Sequence, residues 1–210
     1  MKIAVISNIN SNIYALEAFL HDIKKQNIEI VLNLGDSFLG SINPRQTYEL
    51  LRQSSFINIC GNEDRKILEA SLTQLEEDDL LANVYKKLGE DVLYWIQDLP
   101  FEKLIGKDFY MVHGTYFNDQ DCLLENKDGM NNEKKIVELI DNEKAKFIFC
   151  SNSQKPKCVN LKSTGQIVTA PGYLGAINDS DTMQKASYIV LNITDDEFEI
   201  KPHEINYEIK

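Results

Sequence analysis

The sequence predicts an α/β fold whose sheet contains parallel strands. Three short apolar segments, residues 2–7, 28–34 and 56–60, have the composition of buried strands. Each ends in a polar loop and is followed by a segment whose composition suits a helix, an alternation typical of sheets in which helices connect parallel strands. The chain has 210 residues and shows no linker or internal repeat, so we expect residues 1–210 to form a single domain.

Capping residues and spacing locate the first helices. Asn12 suits an N-cap, and Ile13, Leu16 and Leu20 after it recur at helical spacing. Pro44 is expected to open the second helix, because its fixed φ suits a first turn. Further along the chain we expect a long helical region at residues 65–99 and a strand at 109–112 that ends in a His-Gly pair. A polar irregular loop at 116–130 and a short helix at 132–140 should follow. The rest is expected to be a strand at 147–150 and mostly short strands over 158–207.

The composition is that of a soluble globular protein with an acidic surface. Hydrophobic residues make up 43% of the chain, charged residues 26%, and the formal net charge is −11. Such a surface repels phosphate backbones and anionic membranes, so we expect neither as a partner. No apolar stretch approaches the roughly 18 residues that cross a bilayer, and the first residues lack a signal-peptide pattern. The cytoplasm is the expected location.

Polar side chains follow the successive predicted strands. Ligands bind at the carboxyl ends of the strands in open α/β sheets, so we expect these side chains to converge in one cleft. They are Asn8, Asn10, Asp36, Asn62, Glu63, His113, Asn152 and Gln154.

The motifs around these residues support a more specific interpretation. They read Asn8-Ile9-Asn10-Ser11-Asn12, Gly35-Asp36, Gly61-Asn62-Glu63-Asp64, His113-Gly114 and Ser151-Asn152-Ser153-Gln154. In order and spacing the chain resembles the calcineurin-like metallophosphoesterases, in particular the small bacterial and archaeal phosphodiesterases. Their corresponding motifs are Asp-x-His-Gly-Asn, Gly-Asp, Gly-Asn-His-Asp, His-Gly and Gly-His-Thr-His. The resemblance implies two mixed β-sheets packed as a sandwich, with helices on the outer faces.

The resemblance also implies a two-metal chemistry. In that family two divalent metals share a bridging aspartate, which corresponds to Asp36, and they supply a bound hydroxide as nucleophile. The first metal would use positions 8, 10 and 154, here Asn8, Asn10 and Gln154. The second would use positions 62, 113 and 152, here Asn62, His113 and Asn152. A histidine that helps protonate the leaving group is replaced by Glu63.

These substitutions weaken both metal sites. Neutral amides are poor ligands for transition metals, and the first site keeps only Asp36 as a strong ligand. The second retains Asp36, Asn62 and His113, a set that could hold one divalent ion weakly, such as magnesium or calcium. We therefore expect no tightly bound cofactor. Purely structural retention of these three residues is an alternative explanation, since Asp and Asn suit turns.

The sequence thus predicts a catalytically inactive member of the family whose cleft still accepts a phosphate-containing small molecule or nucleotide. Arg65 and Lys155 are candidates to bind the anion, together with loop amides at the helix starts after Asn12 and Asn62. Two alternatives stay open: a phosphodiesterase with an unusual or single-metal site, and an interaction protein that works through another surface, such as residues 116–130. The oligomeric state does not follow from the sequence.

Overall fold

Two five-stranded β-sheets form the centre of the molecule, and most of the seven helices in the described residues flank the first. The computed structural model describes residues 1–178, 183–195 and 197–209. In chain order the strands are β1 (Lys2–Ile6), β2 (Ile30–Asn33), β3 (Ile57–Asn58), β4 (Glu102–Ile105), β5 (Phe109–Val112), β6 (Glu125–Asn126), β7 (Gly129–Met130), β8 (Phe147–Phe149), β9 (Lys157–Asn160), β10 (Ile167–Ala170), β11 (Met183–Ile193) and β12 (Phe198–Glu208). The helices are α1 (Ile13–Lys25), α2 (Pro44–Gln53), α3 (Asn62–Leu68), α4 (Leu72–Glu77), α5 (Asp79–Leu88), α6 (Glu90–Gln97) and α7 (Glu133–Leu139).

Both large sheets are mixed. The first has the order β12-β11-β1-β2-β3, in which β1, β2 and β3 are parallel and β11 and β12 run antiparallel to their neighbours. The second has the order β4-β5-β8-β10-β9, with β5, β8 and β10 parallel and an antiparallel strand at each edge. The expectation of two mixed sheets is confirmed.

Alternation along β1 shows why the sheets stack. Ile3 and Val5 belong to an apolar cluster that also contains Met111 and Phe149 of the second sheet. Ala4, on the opposite face, packs in the cluster formed with the helices α1, α2, α5 and α6. Successive side chains of a strand point to opposite faces, so β1 is buried by a sheet on one side and by helices on the other. The parallel strand ends are thereby fixed side by side.

Local signals set the helix boundaries. The Asn12 side chain accepts a hydrogen bond from the Ala15 N–H, and Pro44 is the first residue of α2, as predicted. The region predicted as one helical stretch is four helices, α3 to α6, because Ser71 and Asp78 cap new helices and Gly89 adopts φ 81°. None of the helices in the described ranges is long and apolar enough to cross a bilayer.

Two elements differ from the sequence-based expectation. Strand β4 was not predicted, because its edge position leaves Leu104 51% exposed and removes the apolar signal of a buried strand. The loop predicted as irregular contains the small hairpin β6–β7, which pairs with neither large sheet in the described residues.

Candidate functional site

The loops at the parallel strand ends share an unusual backbone conformation. Asn8, Asn10, Asp36 and Asn152 have φ values of 52°, 50°, 57° and 60°. Asn and Asp adopt this left-handed region more readily than other non-glycine residues, because their short polar side chains can hydrogen-bond locally. Four of the predicted site positions are therefore residues that suit the sharp turns at the strand ends.

Asp36 lies at the centre of these loops and is 2% exposed. Its Oδ1 accepts the backbone N–H of Glu63 at 2.8 Å, and its Oδ2 accepts the Asn8 side-chain amide at 3.0 Å. Helix α3 can approach this closely because Gly61 precedes it: a Cβ there would lie 2.2 Å from Asp36 Oδ1. Both carboxylate oxygens thus accept protein donors.

His113 supplies the positive charge beside Asp36. The ring is fully buried, with Nδ1 2.5 Å from the Leu34 carbonyl oxygen and Nε2 3.2 Å from Asp36 Oδ2, a contact without the alignment of a hydrogen bond. Burial lowers the pKa of His113, but the charge of Asp36 and the Leu34 carbonyl outweigh it and raise the pKa above its ordinary value. The contacts of both ring nitrogens therefore favour the imidazolium form.

A second buried carboxylate organises the neighbouring loop. Asp64 accepts hydrogen bonds from the backbone N–H groups of Ser37 at 2.8 Å, Phe38 at 3.2 Å and Gly61 at 3.2 Å. Burial, followed by the charge of Asp36, raises the pKa of Asp64 above its ordinary value. Asp36 and Asp64 thus accept the backbone amides of Glu63 and Gly61 at the start of α3, which leaves fewer free donors there for an external anion.

The loop after β8 fixes the orientation of Asn8. Ser151 donates its hydroxyl to Asn8 Oδ1 at 2.6 Å, so the Asn8 amide nitrogen faces Asp36. Sequence reasoning did not assign Ser151 a role, although it replaces the glycine of the family motif. The side chains of the predicted residues Asn8 and His113 thus both contact the Asp36 carboxylate.

The other predicted positions surround this cluster. The Asn10 N–H donates to the Asp36 carbonyl at 3.1 Å. The Asn152 side-chain nitrogen donates to the Asp119 carbonyl at 2.8 Å, which leaves its oxygen available. Asn62 begins α3, and its side-chain nitrogen lies 3.4 Å from Glu63 Oε1. Gln154 is exposed, so it contributes to the rim of the cleft.

Glu63 stands where the family has its proton-donating histidine. Burial, followed by the charge of Asp36, raises the pKa of its carboxyl group. Its Oε2 atom is buried and has no hydrogen-bond partner among the described residues. The raised pKa makes this carboxyl group a weaker acid than an exposed glutamate.

The two candidate anion-binding cations differ in their surroundings. Arg65 donates from Nε and Nη2 to Asp119 at 2.7 and 2.8 Å and from Nη1 to Glu69 at 2.9 Å. Lys155 is exposed and forms no ion pair within the described part of the chain. The geometry therefore favours Lys155 over Arg65 as a group that can receive an anion.

A cavity of about 430 Å³ opens beside the cluster. Sequence reasoning did not assign Glu125, Lys157 or Tyr173 to it. Its lining includes Glu125, Asn152, Gln154, Lys155, Lys157 and Tyr173. A second cavity of about 240 Å³ is bordered by Asn62, Glu63 and Arg65.

The donor set does not fit a pair of transition metals. Among the seven family ligand positions, Asp36 is the one carboxylate and His113 the one imidazole. Asn8 presents its amide nitrogen to Asp36, where the first metal would need a ligand oxygen. Residues 1–178, 183–195 and 197–209 contain no group of three or more His, Cys, Asp or Glu side chains arranged for a metal. For a single divalent ion the potential ligands are Asp36, His113 Nε2, and the amide oxygens of Asn62 and Asn152.

Known proteins share this sequence pattern and fold. A family model for the calcineurin-like phosphoesterase superfamily domain matches residues 1–196. An uncharacterized protein of Methanocaldococcus jannaschii is 26% identical over 224 residues, which cover 99% of this chain and 88% of that protein.

Two solved structures extend the comparison. A metallophosphoesterase from Sphaerobacter thermophilus has a TM-score of 0.77 at 21% identity, covering 99% of this chain and 90% of that one. A hypothetical protein from Pyrococcus horikoshii has a TM-score of 0.81 at 21% identity, and the match covers 99% of this chain and 88% of that protein. At these identities the likeness establishes the shared fold.

The replacement Asn8→Asp tests the contact that holds Asp36. It exchanges an amide donor for a second carboxylate beside Asp36 Oδ2, and Asp tolerates the same left-handed backbone. We expect the free energy of unfolding in metal-free buffer at pH 7.5 to fall by about 2–4 kcal/mol. Asn27→Asp is the matched control: Asn27 has φ 55° but is exposed, so a change within about 0.5 kcal/mol is expected. An Asn8→Asp protein as stable as the parent in urea denaturation would contradict this account of the cluster.

Proposed function

Because this chain belongs to the calcineurin-like phosphoesterase superfamily, we propose that it is a non-catalytic member that binds a small phosphate-containing anion in its cleft. The observation that carries the proposal is the state of Asp36, the family's metal-bridging residue. Its two oxygens accept the Glu63 N–H and the Asn8 amide, and His113 adds a positive charge. Protein groups thus compensate the charge of the Asp36 carboxylate, as metal ions do in the family.

The chemistry of phosphate ester hydrolysis supports inactivity. The uncatalysed reaction is extremely slow, so an enzyme must lower its barrier by a large amount. A metal pair does this through charge stabilisation and a bound hydroxide. Here the residues present do not fit that pair, and Glu63 has no metal-bound water to act on. A lone carboxylate gains little for this reaction by itself.

The cavity supports anion binding. Lys155 and Lys157 contribute two positive charges to its lining and Glu125 one negative charge, so the lining is net positive in a chain whose net charge is −11. The Gln154 side-chain amide and the Tyr173 hydroxyl belong to residues of the same lining. These groups are available to a ligand's oxygens.

A single-ion site is the second candidate function. Within the described ranges His113 Nε2 has no hydrogen bond, while Nδ1 is fixed by the Leu34 carbonyl, the orientation of a metal-binding imidazole. An ion would have to replace the proton on His113 and compete with the Asn8 amide for Asp36. We therefore place this function second. A role through the 116–130 surface, where Tyr116 and Phe117 are 45% and 65% exposed, remains a hypothesis. So do the cytoplasmic location and the lack of nucleic-acid and membrane partners.

Hydrolysis assays test the first part of the proposal. We expect no turnover above the buffer rate with p-nitrophenyl phosphate or bis-p-nitrophenyl phosphate, with or without added manganese, because the metal pair that activates water does not fit. Metal-stimulated turnover by the unmodified protein that is lost in Asp36→Ala would show that the chain is an active enzyme.

Restoring the family's residues together provides the positive control for these assays. Partial manganese-dependent activity should require the combined replacements Asn8→Asp, Asn10→His, Glu63→His, Asn152→His and Gln154→His. Each single replacement should do little, because a site with one repaired ligand is still underfilled.

Phosphate titration tests the second part. We expect inorganic phosphate to bind with a dissociation constant below about 10 mM, which corresponds to roughly 3 kcal/mol. Lys155→Ala should weaken binding about threefold or more, because it removes the cavity lysine that has no carboxylate partner among the residues the structure describes. Lys103→Ala, at an exposed lysine of the edge strand β4, should leave it unchanged. NMR titration of amide shifts gives the constants, and the lack of any saturable shift would refute anion binding.

A further inference from the structure

The two lysines that line the large cavity differ in their ion pairing. Lys157 forms an ion pair with Glu125, and the two side chains are 24% and 28% exposed. Lys155 lines the same cavity and has no carboxylate partner in the ranges that the structure describes. The cavity therefore already holds one anionic group, a carboxylate of this chain.

That carboxylate belongs to a separate small element. Glu125 lies on β6, which pairs with β7 and with neither large sheet in the described residues. The hairpin is joined to the preceding chain by Asn131, whose backbone N–H donates to the Leu124 carbonyl at 2.9 Å and whose side chain donates to the Leu123 carbonyl at 3.0 Å. A shift of Glu125 away from Lys157 therefore leaves the hydrogen bonds of both sheets intact.

We propose that Glu125 is an internal counter-ion that occupies the position of the ligand's anionic group, and that the ligand binds by displacing it from Lys157. This inference rests on the proposed function and names the charge class of its ligand. Once Glu125 has moved, two lysines face the ligand, and a dianion compensates both of them. Inorganic phosphate above pH 7 and phosphate monoesters belong to this class.

Because Glu125 is ionised, its displacement by the ligand exchanges one anion for another at Lys157. The hydrogen bond to Lys157 is the main cause that lowers the pKa of Glu125, so its side chain is a carboxylate at neutral pH. Lys157 thus keeps an anionic partner before and after binding. The free energy of binding therefore reflects only the difference between the ligand's contacts with Lys157 and those of Glu125. Glu125 is thus a determinant of affinity and of charge selectivity.

The variant Glu125→Gln tests the exchange directly, since it keeps the side-chain shape and removes the competing charge. We expect it to bind inorganic phosphate at pH 7.5 about three- to tenfold more tightly than the unmodified protein in calorimetric or NMR titrations. Sulfate, a dianion, should show the same gain, and nitrate, a monoanion, a smaller one. Glu204→Gln is the matched control, because Glu204 forms an exposed ion pair with Lys185 on β11 and β12. It should bind phosphate as the unmodified protein does.

The outcomes separate this inference from the proposed function. If the unmodified protein binds phosphate and Glu125→Gln binds it equally or more weakly, the counter-ion role is overturned and the anion-binding function stands. If neither protein binds phosphate or sulfate, both are overturned. Glu125→Ala provides a second variant, and it should also bind more tightly. Melting temperatures of all variants confirm that the measured proteins are folded.

Discussion

The buried carboxylate of Asp36 is the group around which the site is built. A charge with 2% exposure must be compensated where it lies, because water does not reach it. In the family the compensation comes from two metal ions. Here it comes from the Asn8 amide, the Glu63 N–H and the ring of His113. Each of these groups comes from a different strand-end loop or helix start, so the same contacts that compensate the charge also hold the loops together.

The substitutions that weaken metal binding are compatible with the backbone of the family fold. Asn8, Asn10 and Asn152 all adopt left-handed conformations, which asparagine tolerates well. Their side chains or N–H groups hydrogen-bond to neighbouring loops. Hydrogen bonds between the loops therefore hold the backbone of the cleft at these positions. The positive charge available to a ligand then lies to one side, at Lys155 and Lys157.

Much of this arrangement could be predicted from the sequence, and there is a physical reason why the rest could not. Strand ends and their polar residues could be located because buried parallel strands are short apolar runs, and the convergence of Asp36 and His113 followed from their position after such runs. The partners of Arg65 and Lys157 could not be predicted, because Asp119 and Glu125 are distant in sequence from them and lie in a loop without a periodic pattern. Since the ion pair of Arg65 with Asp119 is not visible in the sequence, Arg65 and Lys155 were both candidates to bind an anion.

Anomalous X-ray diffraction from crystals grown with manganese tests the central claim most directly. If protein groups compensate Asp36, the anomalous map has no pair of peaks within bonding distance of its carboxylate, and the Asn8 amide stays in contact with it. Two fully occupied manganese ions bridged by Asp36 would contradict the account, because they would show that the substituted positions still build the family's metal centre.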